Sequence, residues 1–240
     1  MDEIKVGMIG LDTSHCPAFT RLLNDDSNEY YVPGARVVGA YPGGSDLFSL
    51  SRDRVQGFTE ELRDTYGVRI YDDIPTLVAD VDALLLQSVD GRQHLEQFER
   101  IVASSQVGPK PVFVDKPFAT STADARRMIQ LAVQTQTPVM SSSSLRSSAG
   151  IVGLAGEDER VLSCEAFCPA AILDDYPGLF WYGIHSAEIL YAYMGMGCTM
   201  VRCIPHQDVD VVIGTWEDGR VGIVRGTRFE GGGFGCVVHT

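Results

Sequence analysis

The chain has 240 residues, 45% of them apolar and 21% charged, which suffices to bury the core of one or two soluble domains. A formal net charge of −13 argues against nucleic acid or an anionic membrane as the main partner, because either needs a basic face. No apolar run approaches the roughly 20 residues that span a bilayer, and the acidic start MDEIKVG leads straight into a strand pattern, so no signal peptide is expected and the cytoplasm is the expected location.

In chain order, short apolar runs alternate with helical periodicity through the first part of the sequence. Strands are expected at 5–9, 36–40, 69–71, 83–87, 112–114 and 138–140, and helices at 17–24, 55–66, 74–78, 93–103 and 122–135. The last helix has good local logic: Ser121 can cap it, and Ala125, Met128, Ile129, Ala132 and Val133 share one face. Such alternation calls for a doubly wound parallel sheet, covered on both faces, with ligands at the carboxyl ends of its strands. The polar run SSSSLRSSAG (141–150) marks a boundary, placed between residues 1–145 and 146–240. Beyond it come a strand pattern within 161–173, a helix or a turn into one over 180–195 stopped by Gly195, and strands joined by a hairpin at Asp218-Gly219. This is the pattern of a smaller α+β domain with a mostly antiparallel sheet. Six cysteines, at 16, 164, 168, 198, 203 and 236, form no C-x-x-C pair and are expected as buried reduced thiols.

The stretch VGMIGLDTSHCPAF (6–19) is a strand, a turn at Gly10 and a helix start. A dinucleotide-binding G-x-G-x-x-G/A pattern counted from Gly10 wants glycine at 12 and a small residue at 15, where the chain has Asp12 and His15. Amides at the helix start can hold a pyrophosphate, helped by the Thr13 and Ser14 hydroxyls. Asp12 opposes this: at about 4 Å such a repulsion costs roughly 1–4 kcal/mol, unless the side chain turns away to cap the helix. Tyr41 stands where an acid for the ribose is expected, with Asp46 too far along. Asp12, His15 and His94 leave a metal as a further alternative, but no ligand spacing is diagnostic and none is assigned.

Two stretches point to a family. VFVDKPFATSTADARRMIQLA (112–132) resembles the strand-E/D-K-P-helix segment of the Gfo/Idh/MocA oxidoreductases, named after glucose–fructose oxidoreductase and inositol dehydrogenase. ALLLQSVDGRQHLEQ (83–97) resembles the preceding strand and its T-P-N-x-x-H-x-E-like loop, with Ser88, Asp90 and His94 at or near the matching places. The resemblance implies a Rossmann-like domain followed by an α+β domain whose open sheet often forms dimers, hence a homodimer through that sheet. It also implies NAD or NADP as cofactor and a small molecule as substrate. Cofactor contacts are implied at Gly10, Leu11, Asp12, Thr13, Ser14, Tyr41, Ser88, Asp115 and Lys116, and substrate contacts at His94, Arg146 and Tyr182.

By the same resemblance, Lys116 would bind a cofactor ribose and a substrate hydroxyl, stabilising charge that develops on that oxygen; the alternative is a surface lysine paired with Asp115. The family's D-x-G-x-H-x-x-D motif has a counterpart in WYGIHSAE, with Gly183, His185 and Glu188 in register and Trp181 in place of the first aspartate. His185 would accept the hydroxyl proton while hydride leaves the same carbon, work suited to an imidazole, with Tyr182 as an assisting donor. The alternative is a partly buried core histidine. Arg146 would anchor an anionic or hydroxylated substrate. The implied function is NAD(P)-dependent oxidation or reduction at a hydroxyl-bearing carbon of a sugar, cyclitol or related small molecule. Two alternatives stand beside it: a redox-inactive member serving as a binding or accessory subunit, and a lyase or isomerase using the same pocket.

Overall fold

The computed structural model describes residues 3–105, 108–156, 158–229 and 232–240, so that Met1 and Asp2 of the acidic start lie outside the described residues. The chain forms two compact units, Met1–Ser141 and Ser142–Thr240.

The first unit alternates β1 (Ile4–Ile9), α1 (His15–Asn24), β2 (Ala35–Tyr41), α2 (Ser49–Tyr66), β3 (Arg69–Ile70), α3 (Ile74–Asp80), β4 (Ala83–Leu86), α4 (His94–Ser104), β5 (Val112–Val114), α5 (Thr122–Gln134) and β6 (Val139–Met140). All six strands pair in parallel, in the order β3-β2-β1-β4-β5-β6. The order reverses between β1 and β4, which is where an open α/β sheet leaves its ligand crevice. Side chains alternate across the sheet: β1 sends Val6 and Met8 into one core with Leu11, Cys16, Val37 and Leu62, and Ile9 into the other with Leu84, Leu86, Phe98 and Val114.

Ser121 caps α5, its hydroxyl accepting the Asp124 amide at 3.0 Å. Of the face expected to be buried, Met128 and Ala132 are, whereas Ile129 and Val133 are 47% and 73% exposed. The apolar stripe is wider than the strip of helix that meets the sheet. Two helices also begin earlier than their apolar periodicity does, α1 at His15 and α2 at Ser49.

The second unit contains a 3₁₀ turn at Ser144–Ser147, β7 (Ser163–Pro169), a 3₁₀ turn at Gly178–Phe180, α6 (Gly183–Met194), β8 (Cys198–Pro205), β9 (Val209–Trp216), β10 (Val221–Thr227) and β11 (Gly235–His239). Its sheet runs β11-β7-β10-β9-β8, with β7 and β10 parallel and the other pairs antiparallel. Gly195, at φ 67°, ends α6, and Gly219, at φ 84°, makes the β9–β10 turn. The core gathers Ile151, Cys164, Ala166, Ile189, Leu190, Met194, Trp216 and Val224. All six cysteines are free, but only Cys16, Cys164 and Cys168 are buried. Cys203 is exposed because β8 is an edge strand with most of its residues open to solvent. Among the described residues no helix is long and apolar enough to cross a membrane.

Candidate active site

A polar network covers the carboxyl ends of β1 and β4. Gly10 takes φ 84° and approaches Ser88 so closely that a Cβ would sit 2.2 Å from the Ser88 Oγ, so the position needs glycine. Asp12 is fully buried, and its carboxylate accepts the Ser51 hydroxyl at 2.6 Å and the Val89 amide at 2.8 Å. Burial raises its pKa, and the two hydrogen bonds partly oppose that rise. The segment after β2 is tied over the same strand end. The Gly10 and Leu11 amides donate to the Tyr41 and Pro42 carbonyls, the Ser45 hydroxyl donates to Asp90 at 2.6 Å, and the Gln93 side chain donates to the Gly44 carbonyl at 2.8 Å. Burial pushes the Asp90 carboxyl up, but its bonds to Arg92 and Ser45 outweigh this and hold it below its ordinary value.

His94 is fully buried, with Nδ1 3.1 Å from the Phe118 carbonyl and Nε2 2.8 Å from the Ser88 carbonyl. Neither nitrogen is open to a substrate in this structure. Leu11, Asp12 and Ser88, expected along a cofactor's edge, are likewise inaccessible, because the loops after β2 and β4 close over them. No three His, Cys, Asp or Glu side chains converge on a metal position among the described residues.

At the end of β5, Asp115 is nearly inaccessible. Its Oδ1 accepts the Lys116 amide at 2.7 Å and its Oδ2 lies 2.7 Å from His15 Nδ1. Lys116, followed by a cis peptide to Pro117, is only 7% exposed, so it is not a surface lysine. Burial lowers the pKa of its ammonium; Asp115 opposes the shift and Arg54 adds to it. Thr13 is buried and Ser14 exposed; the Thr13 amide donates to the Cys16 thiol, and the Ser14 amide has no hydrogen-bond partner among the described residues. Tyr41 is half-buried, with the Arg100 guanidinium 5.8 Å from its ring centre.

In the second unit, His185 is buried on the first turn of α6. Its Nδ1 lies 2.7 Å from the hydroxyl of buried Ser143, which also accepts the Leu145 amide at 3.2 Å. Ser143 thus stands beside the ring where Trp181 leaves the expected aspartate missing. The Tyr182 and Phe234 rings meet His185 edge-on at 5.4 and 5.5 Å. Arg146 is apart from this cluster, bonded to Glu188 at 3.0 Å. Sequence reasoning missed both Ser143 and the His15–Asp115 pair, whose members are 42 and 100 residues apart. The one available signal for Ser143 was the serine run, read only as a boundary.

Residues 4–143 match the model of an oxidoreductase family with an NAD-binding Rossmann fold. The chain belongs to the Gfo/Idh/MocA oxidoreductase family. No curated protein sequence matches it. Among solved structures, it is similar to a putative myo-inositol dehydrogenase from Sinorhizobium meliloti 1021, at 18% identity and TM-score 0.72 over 98% of this chain and 73% of that one. It is also similar to apo scyllo-inositol dehydrogenase from Lactobacillus casei, at 16% and 0.72 over 98% and 71%. A third is GenD2 from gentamicin A biosynthesis, solved in complex with NAD, at 18% and 0.74 over 99% and 69%. At these identities the likeness establishes the shared fold, and the cofactor of the family is a nicotinamide dinucleotide.

The first unit's residues fit that group at the turn after β1. Gly10 supplies the close approach, and the unengaged Ser14 amide opens a ten-residue helix toward a pyrophosphate. The repulsion expected from Asp12 is corrected by its position: the carboxylate is turned to Ser51 and Val89 and is not presented at the surface.

Proposed function

We propose that the protein is an NAD(P)-dependent oxidoreductase acting at a hydroxyl-bearing carbon of a sugar, cyclitol or related small molecule. The observation that carries this reading is Lys116, a buried lysine at the end of β5 in a family whose fold binds NAD. The first unit binds the dinucleotide through Gly10, Thr13, Ser14 and Lys116, and the second supplies substrate contacts. When bound, the nicotinamide supplies a hydride acceptor or donor. Lys116 donates a hydrogen bond to the substrate oxygen, and its buried charge stabilises the alkoxide character that develops there. In the second unit His185, bonded to Ser143 and beside the Tyr182 ring, is the candidate for holding a substrate oxygen by hydrogen bond, with Tyr182 as an assisting donor. Arg146, bonded to Glu188 through one of its nitrogens, anchors a substrate oxygen with the N–H donors that remain. The second-unit sheet is the surface for a homodimer.

Titration with NADH and NADPH, followed by nicotinamide fluorescence, tests the reading; a saturable signal below millimolar concentration is expected with one of them. One observation favours a second reading, a redox-inactive binding subunit. The Ser45–Asp90 and Asp12–Ser51 bonds tie the loops flanking β1 across the place a dinucleotide spans. Absence of a saturable signal with either nucleotide decides for that reading.

A further inference from the structure

The roles above leave His15 unused. It is the first residue of α1, one-third exposed, with Nδ1 2.7 Å from Asp115. A carboxylate only accepts, so the bond keeps a proton on Nδ1 and makes Nε2 of the neutral ring a lone-pair acceptor. Nε2 has no hydrogen-bond partner among the described residues. The pair is held on both sides: Asp115 also takes the Lys116 amide, and the His15 ring lies 5.8 Å from Phe19, which packs edge-on against Phe113.

Gln87 is a second, independent observation. It is fully buried, and neither its amide nitrogen nor its oxygen has a partner. The register pairs Leu86 with Val114, so Gln87 and Asp115 follow as neighbours on adjacent strands. Side-chain alternation turns both to the face that carries α1. An unmade hydrogen bond of a buried amide is costly, and native proteins meet such groups with water or a ligand.

We propose that His15, fixed by Asp115, is a proton-transfer residue that acts on a hydroxyl of a polyhydroxylated small molecule. The hydride half of the step rests on the oxidoreductase reading. The substrate O–H bond breaks as the H–Nε2 bond forms, and the electron pair of that O–H bond closes the C=O. The oxidised nicotinamide, when bound, would supply the acceptor for the hydride that leaves the same carbon. The Asp115 carboxylate, 2.7 Å from Nδ1, steadies the imidazolium, which then passes its proton to solvent from its exposed edge. His185 Nδ1 lies against the Ser143 hydroxyl, whereas His15 Nδ1 lies against the buried Asp115 carboxylate.

The test is modification of the full chain with diethyl pyrocarbonate, mapped by peptide mass, alone and with NAD(H), NADP(H) or a panel of sugars and cyclitols. His206, whose side chain is 66% exposed, is the internal control. His15 is expected to react in the free protein, and at least one panel member is expected to slow it fivefold or more without slowing His206. With that compound as substrate, His15→Gln and Asp115→Asn should each lower kcat by about a hundredfold or more, with KM within threefold. The proposal is overturned if no panel member slows the reaction of His15 beyond what nucleotide alone does, or if His15→Gln keeps kcat within threefold. Failure of both nucleotides to bind is a separate result: it removes the oxidoreductase reading, while protection by a polyol alone retains His15 as the acid–base group.

Discussion

Replacing Asp12 by alanine separates a structural tie from an electrostatic obstacle. In the structure the carboxylate is the acceptor for the amide of Val89, 2% exposed, and for the hydroxyl of Ser51, fully buried. The amide cannot rotate to another acceptor, and a buried donor left unmet costs about 1–3 kcal/mol. The hydroxyl can turn, so its contribution falls at the low end of that range. Removal of a buried charge offsets part of the loss, which leaves a net destabilisation of about 2–3 kcal/mol. At roughly 3–4 °C per kcal/mol for a unit of this size, the melting temperature should fall by about 6–12 °C.

The first unit has no tryptophan, since Trp181 and Trp216 both lie in the second. Far-ultraviolet circular dichroism together with hydrogen exchange at Val89 therefore reads the affected unit, and tryptophan fluorescence follows the other. Asp12→Asn keeps an acceptor for Val89 and removes the charge, which isolates its pH dependence. Because the folded-state pKa of Asp12 is raised above 3.8, its contribution is fully present below 3.8 and is lost as pH rises through the folded value. The stability of Asp12→Asn relative to wild type should therefore rise over that window and level off above it. If Asp12→Ala unfolds like wild type and binds a nucleotide tenfold more tightly, the carboxylate was an obstacle and the tie argument is wrong.

Ser143→Ala removes the partner of His185 Nδ1 and should destabilise the second unit by about 1–2 kcal/mol, seen as an earlier tryptophan transition; an unchanged transition would show that the ring is held by its aromatic neighbours alone. Lys116→Met should abolish turnover while melting no lower than wild type at pH 7. The folded-state pKa of Lys116 lies below 10.5, so its contribution to stability is present above 10.5 and is lost as pH falls through the folded value. At neutral pH the fold therefore carries a charge it disfavours, and a lower melting point for Lys116→Met would contradict this.

Much of the architecture was legible because period-two and period-3.6 patterns are local. Val6, Met8 and Ile9 announce β1, and Ser121 announces the start of α5. The start of α2 was not legible: apart from Leu50, residues 49–54 are polar, Phe48 gives no side-chain cap, and the turn is fixed by Ser51 bonding to Asp12 and Ser45. Ile129 and Val133 show a related limit, since periodicity reports a stripe but not how much of it the sheet covers. At the site, residue types were readable while directions were not. Whether Asp12 faces a ligand or its own chain depends on Val89, 77 residues away.

The two histidines candidate for proton transfer differ in what their partners permit. Ser143 can donate to His185 Nδ1 or accept from it, and one of its lone pairs already takes the Leu145 amide, so the hydroxyl leaves the ring either tautomer. Asp115 can only accept, which fixes one tautomer of His15 and stabilises the cation that proton uptake creates. Trp181 stands in the place of an aspartate, and the Ser143 hydroxyl lies at His185 Nδ1 as the Asp115 carboxylate lies at His15 Nδ1. A proton leaving a hydroxyl is therefore better accommodated at His15 than at His185, and His185 is better suited to holding a substrate oxygen by hydrogen bond. On that division, His15→Gln should lower kcat with KM preserved, whereas His185→Asn should chiefly raise KM. The opposite split would place the proton on His185 despite its neutral partner.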